Sequence, residues 1–302
     1  MKILLIMLFI FLVVFIIYKT VSFYYSEFVT MKVRAYDKLY QEQLSKELFD
    51  DKYYESLIKE DICITTDDGL KLKGIYFKAK PNSHKTIIIV HGITVNMATS
   101  IKYMQMFAKR GWNVLIYDHR RHGKSEGRLT TYGYMEKYDL DKWVNWVKDK
   151  EPNNRILGLH GESMGAGTVL QYAGINKFVD FIIADCGFSD LNKLVRIRMK
   201  EDYHSFLIPL ISLADIRVYR KAKFKIKDIS PINIIKNSSI PTLFIHGKED
   251  RYVPTFMSVE MYEAKKNNKK LYLADGAKHA DSIRVDRERY EKEVFDFINE
   301  YF

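Results

Sequence analysis

The chain has 302 residues, 47% of them hydrophobic and 28% charged, with two cysteines and a net charge of +10. This is an ordinary globular balance, and two cysteines are too few for a disulfide scaffold. The basic excess does not indicate a nucleic-acid binder, because no recognition motif or aromatic–basic RNA-binding signature accompanies it.

The chain opens on an apolar segment. After Met1 and Lys2, the sixteen residues from Ile3 to Tyr18 contain neither a charge nor a helix breaker. As a helix rising about 1.5 Å per residue they span roughly 24 Å, against a bilayer core of about 30 Å. A snorkelling Lys19 and interfacial Phe23, Tyr24 and Tyr25 extend that span. No A-x-A-like cleavage site follows in "YKTVSFYYSEF", so an uncleaved transmembrane anchor over residues 1–20 is expected rather than a removed signal peptide. Lys2 favours an inside amino terminus, whereas Lys19, Lys32, Arg34 and Lys38 lie on the other flank. The short basic head is that of an uncleaved export signal. The expectation is therefore a single-pass protein of the cell membrane with the rest of the chain facing outward.

Residues 21–60 are rich in Tyr, Lys and Glu and lack Gly and Pro. They read as a helical stalk, either leading away from the membrane or packed on the domain beyond residue 60. The period then changes. "DICITTDDGLKLKGIYFKA" is two alternating strands joined at Asp67, Asp68 and Gly69. "KTIIIVHG" is a continuous β-branched run, as in a strand buried on both faces. A helical stretch ends near Gly111, and "WNVLIYDHR" is a second buried strand. A helix over about Tyr134 to Lys148, a strand over Arg155 to His160 and a helix starting at Ser163 come next. Then come the strand "FIIAD", the strand "PTLFIHG", a helix near Thr255 to Lys265, the strand "KKLYLAD" and a last helix from about Asp281 to Phe302. Cys63 in its alternating strand and Cys186 after "FIIAD" both read as small core residues.

Strands alternating with helices give an α/β fold, a mainly parallel sheet flanked by helices over residues 61–302. Right-handed crossovers put the carboxyl ends of the parallel strands on one edge, where ligands bind. An insertion over about residues 187–240 interrupts the rhythm and is expected to form a helical lid above that edge. It carries "SFLIPLISLADI" and ten basic residues between Lys193 and Lys227, opposed by Glu201, Asp202 and Asp215. Such a segment is a solvated surface or one attracted to anionic lipid head groups or an acidic substrate.

The chemistry is concentrated in "LHGESMGAG". Here a G-x-S-x-G motif follows an apolar strand and opens an apolar helix, the context a nucleophile elbow requires. Gly161 and Gly165 allow close approach of strand and helix around Ser163. A serine hydroxyl needs a base to take its proton. His279 in "DGAKHADS" is the histidine of the last fifty residues, and Asp250 in "HGKEDRYVP" lies just past a strand between the two. In the order Ser163, Asp250, His279, each at a strand's end, they form the expected catalytic triad. The oxyanion donors expected are the backbone N–H groups of Met164 and Ile93. His91 is expected to pack the loop.

"HG" at His91–Gly92, "YDHRRHGKSEG", "GESMG", "HGKED" before "VP" and "KH" at Lys278–His279 together resemble the α/β-hydrolase superfamily, in its membrane-anchored bacterial esterase and peptidase-like branch. Arg121 stands where that family usually has glycine, and an alanine replaces the common second glycine of "GESMGAG". The resemblance implies a serine hydrolase that works through an acyl-enzyme, with no cofactor or metal. Carboxylic ester hydrolysis of a small-molecule or lipid-like acyl substrate is the first expectation and peptide or amide cleavage the alternative. A non-catalytic binding module on the same fold is the reading from another class.

Overall fold

The continuous apolar runs become the central strands of one eight-stranded sheet. A computed structural model describes residues 2–78, 83–175, 178–202 and 208–302, with the backbone alone for residues 23–28. The strands are β1 (Lys59–Thr65), β2 (Lys71–Phe77), β3 (Lys85–Val90), β4 (Asn113–Tyr117), β5 (Ile156–Glu162), β6 (Phe181–Asp185), β7 (Thr242–Gly247) and β8 (Lys269–Ala274). Their order is β1-β2-β4-β3-β5-β6-β7-β8. The hairpin β1–β2 is antiparallel and β2 pairs antiparallel with β4, while every later pair is parallel.

The helices are α1 (Lys2–Val29), α2 (Tyr36–Ser45), α3 (Asp51–Ser56), α4 (Ile101–Ala108), α5 (Glu136–Lys150), α6 (Met164–Tyr172), α7 (Leu191–Asp202), α8 (Leu210–Ala222), α9 (Pro231–Ile235), α10 (Phe256–Ala264), α11 (Ser282–Val285) and α12 (Arg287–Tyr301). Alternation along the central strands feeds two cores. Ile87, Ile89, Val114 and Ile116 face α4 and α12, whereas Ile88, Val90, Leu115 and Tyr117 face α5 and α6.

Residues 36–56 lie against the first of these cores. Phe49 and Tyr54 are buried in it, and Tyr36, Tyr40 and Leu44 pack on it. Within α1, residues Lys2–Ser22 are long and apolar enough to cross a membrane, and they are not buried inside the protein. The helix continues beyond residue 20 as far as Val29, which is buried in a cluster with Phe188, Leu191, Val253 and Met257. The side chains of Phe23, Tyr24 and Tyr25 fall outside the described residues.

Three details differ from the sequence reading. Cys63 is exposed, because the period of β1 turns Ile62 inward and its neighbour outward; Cys186 is buried, and both are free. The last helix is two, broken at Asp286, whose extended backbone and side chain cap the second by accepting from Arg289 N at 2.9 Å. The helix expected to start at Ser163 starts one residue later, leaving the serine in the turn.

The insertion expected to form a lid contains, among the described residues, α7, α8, a 3-10 turn over Ile226–Asp228 and α9. Its Phe188, Leu191, Met199, Ile211, Val218 and Phe224 are buried in a third core, shared with Val29 of α1, Val253 and Met257. Residues Ser205, Phe206 and Leu207 of the apolar "SFLIPLISL" lie outside the described residues.

The close fit of β5, α6 and β3 depends on absent side chains. A Cβ on Gly165 would sit 2.1 Å from the Val90 carbonyl oxygen, a backbone atom that cannot swing away. Gly165→Ala is expected to destabilise the fold by about 3 kcal/mol or more, measured by the denaturant midpoint. An unchanged midpoint would show that the elbow is looser than this packing implies.

Candidate active site

At the end of β5 the chain must reverse into α6 within one residue. Ser163 makes that turn with φ 56° and ψ −113°, a left-sided conformation that costs a non-glycine residue on the order of 1–3 kcal/mol. It is held there from both sides. Ser163 N donates to the Asp185 carbonyl at 2.8 Å, and Gly167 N donates to the Ser163 carbonyl at 3.0 Å. The side chain then projects at the carboxyl edge of the sheet, beside the first turn of α6. The Met164 N–H opens that turn and so has no partner within the helix.

The loops after β7 and β8 bring the other two residues to the same place. His279 Nε2 lies 2.9 Å from Ser163 Oγ, and His279 Nδ1 lies 2.7 Å from Asp250 Oδ2. The Asp250 carboxylate is fixed by four contacts. Its Oδ1 accepts from Tyr252 N and Val253 N, each at 2.9 Å, and its Oδ2 also lies 3.1 Å from His246 Nε2. Burial alone would raise this carboxyl's pKa, but hydrogen bonds from His246 and His279 outweigh that and hold it well below the usual carboxylate range. An ionised acid facing Nδ1 keeps the His279 proton there and leaves Nε2 free to accept from the serine.

His246 is a residue that the sequence reading missed. Its Nε2 faces two acceptors, Asp250 Oδ2 and the Val253 carbonyl at 2.8 Å, so the proton belongs on that nitrogen, and Nδ1 accepts from Ser258 Oγ at 2.7 Å. The signal was its place in "LFIHG", four residues before the acid at the end of a buried strand.

On the opposite side of Ser163 runs the loop after β3. A Cβ on Gly92 would lie 3.4 Å from both Ser163 Cβ and the Glu162 carbonyl oxygen, so the Gly92–Ile93 peptide passes alongside the elbow. His91 packs this loop. Its Nδ1 donates to the Gly92 carbonyl at 2.7 Å and its Nε2 accepts from His119 N at 3.0 Å. Burial, reinforced by His122, keeps its pKa well below the usual range and the ring neutral.

Arg121, the departure from the family pattern, has φ 67° and thus keeps the backbone that glycine would supply. Its guanidinium donates to the Met31 and Thr30 carbonyls at 2.5 and 2.6 Å, pinning the segment after α1. In the same loop Gly123 is obligatory, since a Cβ there would fall 2.0 Å from Asp118 Oδ2.

Beneath the elbow lies a buried polar network. Lys102 Nζ pairs with Glu162 Oε2 at 2.5 Å and donates to the Ala280 carbonyl at 3.3 Å, linking the residue before Ser163 to the one after His279. Tyr103 Oη lies 2.7 Å from Glu162 Oε2 and 3.1 Å from Asp185 Oδ2, and Tyr290 Oη donates to Asp185 Oδ2 at 3.1 Å. Lys102 thus pairs with Glu162, while Tyr103 bridges Glu162 to Asp185. Burial, then the Glu162 charge, pushes the Asp185 carboxyl up to about 6.

Because that value exceeds the unfolded one of about 4, stability from this group is full below pH ~4 and is lost as pH rises through ~6. An asparagine does not titrate and still accepts from the tyrosines. Asp185→Asn should therefore gain stability relative to wild type between these pH values, on the order of 3 kcal/mol. Denaturant titrations across that window check it, and a flat difference would count against a buried Asp185 carboxyl raised by the Glu162 charge.

A cleft of about 890 Å³ opens beside the histidine and acid loops, lined by Lys248, Glu249, Asp250, Arg251, Tyr252, Lys278 and His279. The Tyr252 ring lies 5.0 Å from that of His279. Arg198 of α7 reaches this loop, donating to the Arg251 carbonyl at 2.6 Å, so the insertion touches the segment that carries Asp250.

Comparison with known proteins fits this architecture. The profile of the family described as alpha/beta hydrolase fold matches residues 85–207, and the BD-FAE profile matches residues 155–264. The chain is 40% identical over 248 residues to YqkD of Bacillus subtilis, covering 82% of this chain and 81% of that one. It is 27% identical over 260 residues to YfhR of Escherichia coli K12, covering 82% and 84%. Among solved structures, the Pyrococcus furiosus esterase Pf2001 superposes with a TM-score of 0.68 at 28% identity, over 84% of this chain and 96% of that one. The acylaminoacyl peptidase of Pyrococcus horikoshii gives a TM-score of 0.62 at 20% identity over 83% of this chain and 43% of that one, a likeness of fold alone.

Proposed function

The chain belongs to the α/β-hydrolase superfamily and has its fold, and from that premise we propose that it is a serine hydrolase of carboxylic esters, with Ser163, His279 and Asp250 as its triad. The observation that carries this reading is the unbroken hydrogen-bonded line from Ser163 Oγ through both nitrogens of His279 to Asp250 Oδ2.

In the proposed reaction His279 Nε2 accepts the serine proton as Oγ bonds to the ester carbonyl carbon. The negative oxygen of the tetrahedral intermediate is stabilised by the Met164 and Ile93 N–H groups. The bond to the alcohol then breaks, and His279 returns the proton to the leaving oxygen. Water, deprotonated by the same imidazole, attacks the acyl-serine, and the acid leaves with Ser163 restored. Asp250 holds the tautomer and stabilises the imidazolium at each stage.

The likeness to an esterase at 28% identity favours ester over amide substrates. The apolar, unburied Lys2–Ser22 helix supports an anchored protein; small or lipid-like acyl substrates and a catalytic domain on the outer face are part of the same proposal. Turnover of p-nitrophenyl esters against p-nitroanilides of the same acyl chains tests the chemistry. Faster ester cleavage is expected, and faster anilide cleavage would make the protein an amidase or peptidase. Fractionation and protease treatment of intact cells test the anchor and its side: a soluble wild-type protein removes the first, and a protected domain the second.

A further inference from the structure

We propose that α8, the second lid helix, is an interfacial helix that lies in the head-group layer of an anionic bilayer, giving the lid a membrane contact of its own beside the anchor. This rests on the reading of α1 as membrane-inserted. The inward face of α8 is Ile211, Ala214 and Val218, all buried in the lid core or against it. The outward face is apolar as well. Leu213, Ile216 and Tyr219 are 44%, 50% and 49% exposed, and they succeed one another at helical spacing. The end of α8 and the segment after it carry the exposed Arg220, Lys221, Lys223, Lys225 and Lys227, against the exposed Asp228 and the half-buried Asp215, whose carboxylate accepts from Ile226 N. A helix with apolar residues on one side and a basic rim is built to lie in a membrane surface.

The depth of this face determines its cover. The Lys2–Ser22 span has 21 residues, which at about 1.5 Å each is close to the roughly 30 Å of a bilayer core. Ser22 therefore marks where α1 leaves the hydrocarbon. At that level α8 meets α1. Arg217 Nη1 donates to Ser22 Oγ at 2.6 Å, and its guanidinium lies 5.9 Å from the Tyr18 ring centroid.

Nor can the domain swing freely from the anchor. Thr130 N donates to the Val29 carbonyl at 3.0 Å, Arg121 holds Thr30 and Met31, and Arg34 N donates to the Thr94 carbonyl at 2.9 Å. Thr94 follows Ile93, so this strap joins the emerging anchor to the loop beside Ser163. A basic residue near an anionic surface favours contact roughly fivefold.

The test uses the full chain, reconstituted in phosphatidylglycerol–phosphatidylcholine vesicles. In a Cys63→Ser background, which removes the exposed thiol and leaves the buried Cys186, Ile216→Cys and separately Phe9→Cys carry an NBD fluorophore. Hydrolysis of a soluble p-nitrophenyl ester verifies that each labelled protein is folded. Doxyl-labelled lipids report direct contact.

The label at 216 should brighten severalfold and be quenched by doxyl groups near the glycerol. Joint reversal with Arg220→Glu, Lys221→Glu and Lys223→Glu should return it most of the way to its aqueous emission. Quenching at position 9 with none at 216 overturns the proposal while leaving the anchor intact. A bright label at 216 that lipid does not quench means that protein, such as a second copy, covers the face, and overturns it too. Absence of quenching at position 9 removes the anchor reading and this inference with it, without touching the hydrolase assignment.

Discussion

Ser163→Ala is expected to lower kcat/KM for ester hydrolysis by a factor on the order of 10⁴ to 10⁶, with KM little changed. That corresponds to roughly 5–8 kcal/mol of lost transition-state stabilisation. The expected loss is of the proposed nucleophile alone, because alanine retains the Cβ and hence the strained turn at φ 56°. Ser163→Gly makes the complementary case. It removes the hydroxyl and also relieves a conformation that glycine adopts freely, so the fold should gain on the order of 1 kcal/mol while activity is lost. Measured together, the two variants separate the chemistry of Ser163 from the backbone cost of presenting it. Retention of activity in either would remove Ser163 as the nucleophile.

The second large effect is at Asp250. Asp250→Asn is expected to reduce kcat by about 10⁴-fold. The direction comes from the acid's other contacts. Two backbone donors, Tyr252 N and Val253 N, face Oδ1, so an asparagine places its carbonyl oxygen there and its NH₂ where Oδ2 was. That NH₂ then points at His279 Nδ1, forcing this nitrogen to accept and moving the ring proton to Nε2, where it blocks proton removal from the serine. His246 loses an acceptor as well.

The variant also has a signature in stability. The folded-state pKa of Asp250 is depressed, so its contribution is present above the unfolded value near 4 and is lost as pH falls below it. The stability gap between wild type and Asp250→Asn should accordingly be widest near neutrality and close in acid. An active asparagine variant, or a gap that widens in acid, would contradict this role.

The parts of this site that the sequence disclosed are those whose chemistry coincides with a change of element. Ser163, Asp250 and His279 each come after an apolar strand, and polar residues there project over the sheet edge. The supporting residues have no such marker. Lys102 lies inside an apolar helix and Asp185 at the end of a buried strand, and only the fold brings them together under Glu162. Periodicity on β1 was legible, but Cys63 is as small as a core residue and falls on the outward phase. The packing of residues 36–56 rests on aromatic side chains meeting distant strands, which local composition does not encode. The glycine missing at position 121 was visible as a departure. Its reason, an arginine that keeps the left-handed turn and grips the strap after α1, required coordinates.

The most direct test of Ser163 as the nucleophile is the mass of the folded full-length protein after exposure to a fluorophosphonate, with peptide mapping of the product. One phosphonyl adduct is expected, on the peptide that contains Ser163, absent from Ser163→Ala and formed far more slowly in His279→Gln. No adduct on a folded, monodisperse sample, or an adduct on a different residue, would contradict it.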